Sequence, residues 1–151
     1  MTDLKFRGNL PAKIDAQGRI KIPTAHRYLF LEKLGPDVFV TSINGESARI
    51  YPIADWERIE EKLLEPPKML PQKQKFLRNT AYWGQEAKLD RQGRVLIQPH
   101  LRKKAELENC EVAVIGTLSY VEVWNLKSFE KTLEDEPFTD DDARALSDLN
   151  I

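Results

Sequence analysis

The chain carries one unusual turn twice: AKIDAQGRIKIP, from Ala12 to Pro23, recurs as AKLDRQGRVLIQP from Ala87 to Pro99, 75 residues later. At that fixed offset eight of sixteen positions between Ala12 and Arg27 match those between Ala87 and Arg102, namely Ala12, Lys13, Asp15, Gln17, Gly18, Arg19, Ile22 and Arg27. The likeness continues past an implied two-residue deletion, where Ile50-Tyr51 and Trp56-Glu57 face Val123-Trp124 and Phe129-Glu130 at an offset of 73. Two whole units are therefore related. An internal period sets the architecture, because repeated units bury their apolar faces against one another, and with only two units a long solenoid is excluded. A chain of 151 residues holds about one domain. Two half-domains sharing one pseudo-twofold core fit that length, since neither half alone buries much surface.

Inside each unit the apolar pattern predicts a short strand from Asn9 to Ile14, a turn over Asp15-Ala16-Gln17-Gly18, and a strand from Arg19 to Ile22, together a hairpin. An aspartate opening a turn accepts hydrogen bonds from backbone N–H groups two or three residues on, and Gly18 takes positive φ without a Cβ penalty. Asp90 and Gly93 repeat that chemistry. Pro23 and Pro99 stop the following strands and suit the first turn of a helix, so short helices are expected over Thr24 to Leu31 and Pro99 to Ala105. Val38 to Ile43, the Asn44-Gly45 turn signal and Ala48 to Tyr51 predict a second hairpin, matched by Glu111 to Thr117 and Tyr120 to Trp124. Amphipathic helices close the units, with Trp56, Ile59 and Leu63 on one face and Asp55 as the expected N-cap, and with Ser128, Phe129 and Leu133 as the weaker repeat. Lys73 to Trp83 reads as a further helix, with Phe76, Thr80 and Trp83 on one side. The expected division is a first repeat at 5–64, a connecting segment and helix at 65–83, a second repeat at 84–134 and an acidic tail at 135–151.

The net charge of −1 conceals a strong asymmetry. Each repeated stretch carries +3, and the remainder carries −7, much of it in Glu134, Asp135, Glu136 and Asp140 to Asp142. Local basicity of this kind is the electrostatic footprint of a polyanion partner, while the acidic run reads as a solvated tail. No run approaches the ~20 apolar residues needed to cross a bilayer. MTDLKFRGNL has neither a basic n-region nor an apolar h-region, so a cytoplasmic protein is expected. Cys110, the one cysteine, lacks zinc-site spacing and is expected to be buried and inert. No metal, cofactor, membrane or small-molecule substrate is expected.

Phe6-Arg7-Gly8, the paired DxxGR turns Asp15 to Arg19 and Asp90 to Arg94, and the flanking IPTAHR and IQPHLR together resemble the MraZ family, tandem-repeat relatives of the AbrB-type swapped-hairpin proteins. The resemblance implies an α+β, β-rich fold: a pseudo-twofold swapped-hairpin AbrB-like β-barrel with flanking short helices. It also implies a nucleoid-associated transcriptional regulator that assembles into rings. Such a regulator binds double-stranded DNA at short direct repeats in the promoter of the cell-division and cell-wall gene cluster, including its own gene.

Beside the resemblance stands a physical reading. A twisted two-stranded ribbon fits the major groove, where Arg19 and Arg94 are suited to guanine O6 and N7 or to phosphate, and Gln17 and Gln92 to adenine. Lys13, Lys21, Lys88 and Arg91 suit phosphates, which fix register without reading sequence. Asp15, Asp90, Gly18 and Gly93 are expected to hold the turns. Arg19 and Arg94 can alternatively pair with those aspartates, and Arg27 and Arg102 are assigned to structure or subunit contacts. Two rival functions fit the same residues. One is an enzyme using His26, His100 and the Asp15/Asp90 pair, although the histidines are 74 apart and break the repeat. The other is an oligomeric adaptor whose repeats bind protein.

Overall fold

The computed structural model describes residues 4–151. The first unit comprises β1 (Phe6–Ala12), β2 (Arg19–Lys21), α1 (Thr24–Tyr28) continued by a π-helical stretch at Leu29–Leu34, β3 (Asp37–Thr41), β4 (Ala48–Pro52) and α2 (Ile53–Leu64). Helix α3 (Pro71–Trp83) leads into β5 (Gln85–Lys88), β6 (Arg94–Leu96), α4 (Pro99–Lys104), β7 (Val112–Leu118), β8 (Val121–Asn125) and α5 (Leu126–Asp135). A short helix α6 (Asp140–Ala145) and a 3-10 turn at Ser147–Leu149 follow. Helix accounts for 41% of the structure and strand for 27%, the expected α+β class.

The strands form a six-stranded antiparallel sheet of order β1-β7-β8-β4-β3-β5 and a two-stranded sheet of β2 and β6. Exchanging the two units maps the six-strand order onto itself in reverse, which is the pseudo-twofold inferred from the repeat. The units are interleaved: β1 of the first pairs with β7 of the second, and β5 of the second pairs with β3 of the first. Two expectations change. The hairpin across Asp15-Gly18 reduces to a single bridge between Ile14 and Ile20. The reason is length: β1 finds seven partners along β7, from Phe6↔Leu118 to Ala12↔Val112, whereas β2 has only three residues before Pro23. The barrel does not close either, since β1 and β5 each lie at an edge of the sheet.

The core is shared between the two units. Phe6, Ile20, Ile22, Phe30, Val38, Val40 and Ile50 from the first unit meet Leu89, Val95, Ile97, Leu101, Leu107, Val112, Val114 and Val123 from the second. On β2 and β6 the alternation is complete, with Ile20 and Val95 buried and their neighbours facing outward. Truncating a fully buried Leu such as Leu101 would cost about 2–5 kcal/mol.

Helix α2 starts directly after β4, with Pro52 at the N-cap and no side-chain cap, so Asp55 is not the cap. It sits in the first turn, where it pairs with Arg58 and favours the positive end of the helix dipole. The cap role appears only in the second unit, where the Asn125 side chain accepts the Ser128 N–H at 3.0 Å. Cys110 is half-buried rather than buried. Its thiol donates to the Glu106 carbonyl at 3.3 Å, and burial pushes its pKa up. Among the described residues no helix is long and apolar enough to cross a membrane.

Candidate functional site

Each repeated turn is built around its aspartate. Asp15 Oδ1 accepts the Gln17 and Arg19 N–H groups at 2.9 and 3.0 Å, and Oδ2 accepts Arg19 Nε–H at 3.1 Å. Asp90 does the same for Gln92 and Arg94 at 2.9 and 2.9 Å, with Arg94 Nε at 2.8 Å. Backbone bonds close the loops, from Asp15 N to Arg19 O and Gly18 N to Asp15 O, and from Asp90 N to Arg94 O and Gly93 N to Asp90 O. These donors hold both carboxyls below the usual carboxylate range, led by the backbone N–H of Arg19 for Asp15 and of Arg94 for Asp90.

Glycine is required at Gly18 and Gly93 for two reasons. Their φ angles are +84° and +78°, and a Cβ would lie 2.0 Å from Arg102 Nη1 and from Arg27 Cδ respectively. Those arginines come from the opposite unit. Arg27 on α1 crosses to the second turn and donates to the Gln92 carbonyl at 2.8 Å, while Arg102 on α4 crosses to lie over Gly18 and donates to the Ile97 carbonyl. The backbone is stitched likewise, Ile22 N to Gly93 O at 2.9 Å and Ile97 N to Gly18 O at 3.0 Å. The sequence assigned Arg27 and Arg102 to structure; their crossing between units had no local signal.

Strands β2 and β6 bring the two turns into one surface. Arg19 stands opposite Leu96, Ile20 opposite Val95 and Lys21 opposite Arg94, so one face of the ribbon presents Arg19, Lys21, Arg94 and Leu96. Gln17, Arg91 and Gln92 are exposed on the turns. Lys13 is exposed and lines a shallow groove with Lys21, Pro23 and Arg27. Lys88 is exposed and 3.8 Å from Asp37, a pairing that partly offsets its charge. The placement of Leu96 among the basic residues was visible in the sequence only as a break in the repeat.

Arginine pairing and an outward role are compatible here. Only Nε of Arg19 and Arg94 is committed to aspartate, and among the described residues their terminal nitrogens have no hydrogen-bond partner. Lys21 opposite Arg94 is a like-charge cross-strand pair, which costs stability and draws anions. By contrast, the residues of the catalytic alternative are dispersed. His26 is buried against Phe6, and burial holds its imidazole below its ordinary pKa. His100 is exposed, stacked 5.4 Å from Trp83 and bonded to the Tyr82 carbonyl. Both aspartates are occupied by their own turns. Among the described residues no cluster of three or more His, Cys, Asp or Glu side chains is placed to hold a metal.

Fold and site together define an interleaved two-unit α+β protein that offers one basic ribbon between two aspartate-held turns. A model of the MraZ family, described as "MraZ protein, putative antitoxin-like", matches residues 6–79 and 84–149. The chain is 44% identical over 147 residues to the Transcriptional regulator MraZ of Koribacter versatilis and 40% identical over 146 residues to that of Acidobacterium capsulatum. Each alignment covers 97% of this chain and 99% of the relative. The protein of the same name from Haemophilus influenzae is 32% identical over 151 residues, again covering 97% of this chain and 99% of the relative. The chain belongs to the MraZ family.

Proposed function

We propose that this protein is a DNA-binding transcriptional regulator that lays the β2-β6 ribbon and its two turns against the major groove. The observation that carries this reading is the paired, preorganised arginines: Nε held by aspartate, terminal nitrogens without a partner among the described residues, both on one face with Lys21. Holding the side chain before binding lowers the entropy lost on contact. In this reading Arg19, Arg94, Gln17 and Gln92 address base edges, and Lys13, Lys21, Lys88 and Arg91 address phosphates. The names of the relatives, transcriptional regulators, support the same role.

The finer proposal is a nucleoid-associated, ring-shaped homo-oligomer that recognises short direct repeats in the promoter of the cell-division and cell-wall gene cluster, its own gene included. Each chain offers a modest face, so affinity arises from several subunits on several repeats, a linkage worth roughly 10² to 10⁴ in avidity when spacings match. A single repeat is then expected to bind weakly, and equal affinity for one repeat and a tandem array would refute the multivalent scheme. Joint Arg19→Ala and Arg94→Ala substitution, read by DNA titration and light scattering, tests the site. Loss of DNA affinity at unchanged assembly mass supports the regulator. Dissociation of the assembly with DNA affinity retained per subunit supports an adaptor in which the basic turns hold subunits together.

A further inference from the structure

The pseudo-twofold is broken on the outer face of the six-stranded sheet. In the first unit Trp56 of α2 stacks on Phe39 at 4.7 Å, and α3 packs beside them, its Leu77, Thr80 and Ala81 lining the same groove. Phe76 of α3 lies 6.1 Å from Trp56, and the Thr41 hydroxyl donates to the Thr80 carbonyl at 2.7 Å. The register puts Ala113 in the second unit where the first has Phe39: Phe39 faces Tyr51 and Glu86, and Ala113 faces Trp124 and Pro11. Helix α5 repeats α2, with Phe129 5.3 Å from Trp124. Among the described residues no helix repeats α3 there, and a groove remains open, lined by Asn9, Pro11, Lys13, Glu111, Ala113 and Leu126.

Helix α6 follows α5 as α3 follows α2, yet it is seated on nothing. Every residue of Asp140–Ala145 is exposed, and Phe138, Leu149 and Ile151 are 70%, 65% and 83% exposed. A complete capping box between Thr139 and Asp142 nevertheless fixes the helix start beside Phe138. An ordered segment that displays large apolar side chains marks an interaction surface.

Charge says which groove the segment fits. Helix α3 carries Lys73, Lys75 and Arg78 with no acidic residue, and its groove is rimmed by Glu57, Glu60 and Glu86. Helix α6 opens with Asp140, Asp141 and Asp142. The repeat offsets keep Glu130 where the first unit has Glu57 but place Leu133 and Pro11 where it has Glu60 and Glu86, and the second groove is lined by Lys13 beside Glu111. The second groove therefore carries fewer acidic groups than the first, and one lysine, so it repels the acidic segment less.

We infer that the groove over Ala113 receives the 136–151 segment of a second copy of this chain, with Phe138 entering the space that Phe39 fills in the first unit. The contact joins two different surfaces, helix to groove, so it is heterologous and builds a ring if the rotation closes. The inference rests on the homo-oligomer reading above and is independent of DNA binding.

The test uses the full chain in a Cys110→Ser background. One preparation carries Asn9→Cys and another Asp141→Cys; they are mixed, re-equilibrated and treated with a short bis-maleimide. Cross-linked dimers that require both thiols are expected. No cross-link in the mixture, or a doubly substituted Asn9→Cys/Asp141→Cys chain that cross-links only within itself, overturns the inference. A chain ending at Asp135 checks it independently: assembly mass is expected to fall by light scattering while the melting temperature holds, and a truncated chain of full assembly mass overturns the seat. A full-length chain that is monomeric at every concentration overturns both this seat and the oligomer reading, whereas an oligomer without the cross-link overturns the seat alone.

Discussion

The two turns share their sequence and their aspartate bonds, yet the opposite unit grips them differently. At the second turn Arg27 donates to the Gln92 carbonyl at 2.8 Å and to the Thr24 hydroxyl at 3.0 Å, so the loop is clasped from outside. At the first turn Arg102 lies over Gly18 but donates to Ile97 of its own unit, and its Nε faces the Glu108 carboxylate at 3.6 Å. The Gln17 carbonyl has no matching clasp among the described residues. Outward the faces differ too, since Arg94 stands beside Lys21 and Arg19 beside Leu96. The local sequence sets the shape of each turn, and the partner unit sets its stiffness and charge. On the proposed regulator reading, one chain then presents a more rigid, more basic half and a looser, less basic half.

The largest expected effects are on DNA binding. Arg94→Ala and Arg19→Ala are each expected to cost about 1–3 kcal/mol, roughly fivefold to 150-fold in affinity, with Arg94→Ala the greater. Fluorescence anisotropy on a promoter duplex reads the difference, and equal losses would break the comparison. Next come the glycines. Gly93→Ala and Gly18→Ala force a side chain into positive φ and against an arginine, a strain of order 1–3 kcal/mol. Urea unfolding is expected to show the larger loss for Gly93→Ala, because the stem of Arg27 must move, while at Gly18 only the far end of Arg102 is displaced; each arginine gives up a carbonyl bond, to Gln92 and to Ile97.

Smaller effects sharpen the asymmetry. Arg27→Ala is expected to cost about 1 kcal/mol and to speed amide exchange at Gly93, with no corresponding gain at Gly18. Leu96→Lys restores the symmetry of the ribbon and is expected to steepen the salt dependence of binding by about one counterion without changing stability by more than ~0.5 kcal/mol. Acid acts least and selectively. Asp15 and Asp90 have folded pKa values below their unfolded ones, so their contribution is full above the ordinary carboxylate pKa and is lost only as pH falls through the lower folded value. The turns therefore keep their form at pH 5. Burial depresses His26 below its ordinary value of 6.5, so its contribution is full above about pH 6.5 and declines as pH falls below it. Melting temperatures at pH 7.5 and 5.5 are expected to differ for the parent and to converge on His26→Leu.

Much of this was legible along the chain because it is local. The Asp-to-Gly turn, the strand-stopping Pro23 and the helical face of Trp56 all rest on residues within one turn of one another. What escaped was set by distant segments. Nothing near Asn9 reveals that its strand takes β7 as partner rather than continuing as a hairpin with β2. The expected cap at Asp55 failed because β4 runs into α2 without a linker, which shifts the helix start to Ile53. Arg27 and Arg102 were recognisable as repeated, but their reach across the pseudo-twofold depends on interleaving. Lys21 and Leu96 were visible as a mismatch, and only the ribbon register puts one beside Arg94 and the other beside Arg19.

In the proposed function the paired turns form a sequence-reading DNA surface. Its most direct test is titration of the protein with the DNA immediately upstream of its own gene, against scrambled DNA of equal length, across a salt series. Tight, salt-sensitive binding with strong preference for the native sequence is expected, with loss of that preference in the Arg19→Ala/Arg94→Ala protein. Equal weak binding to both DNAs, or a native preference that survives the double substitution, would contradict it.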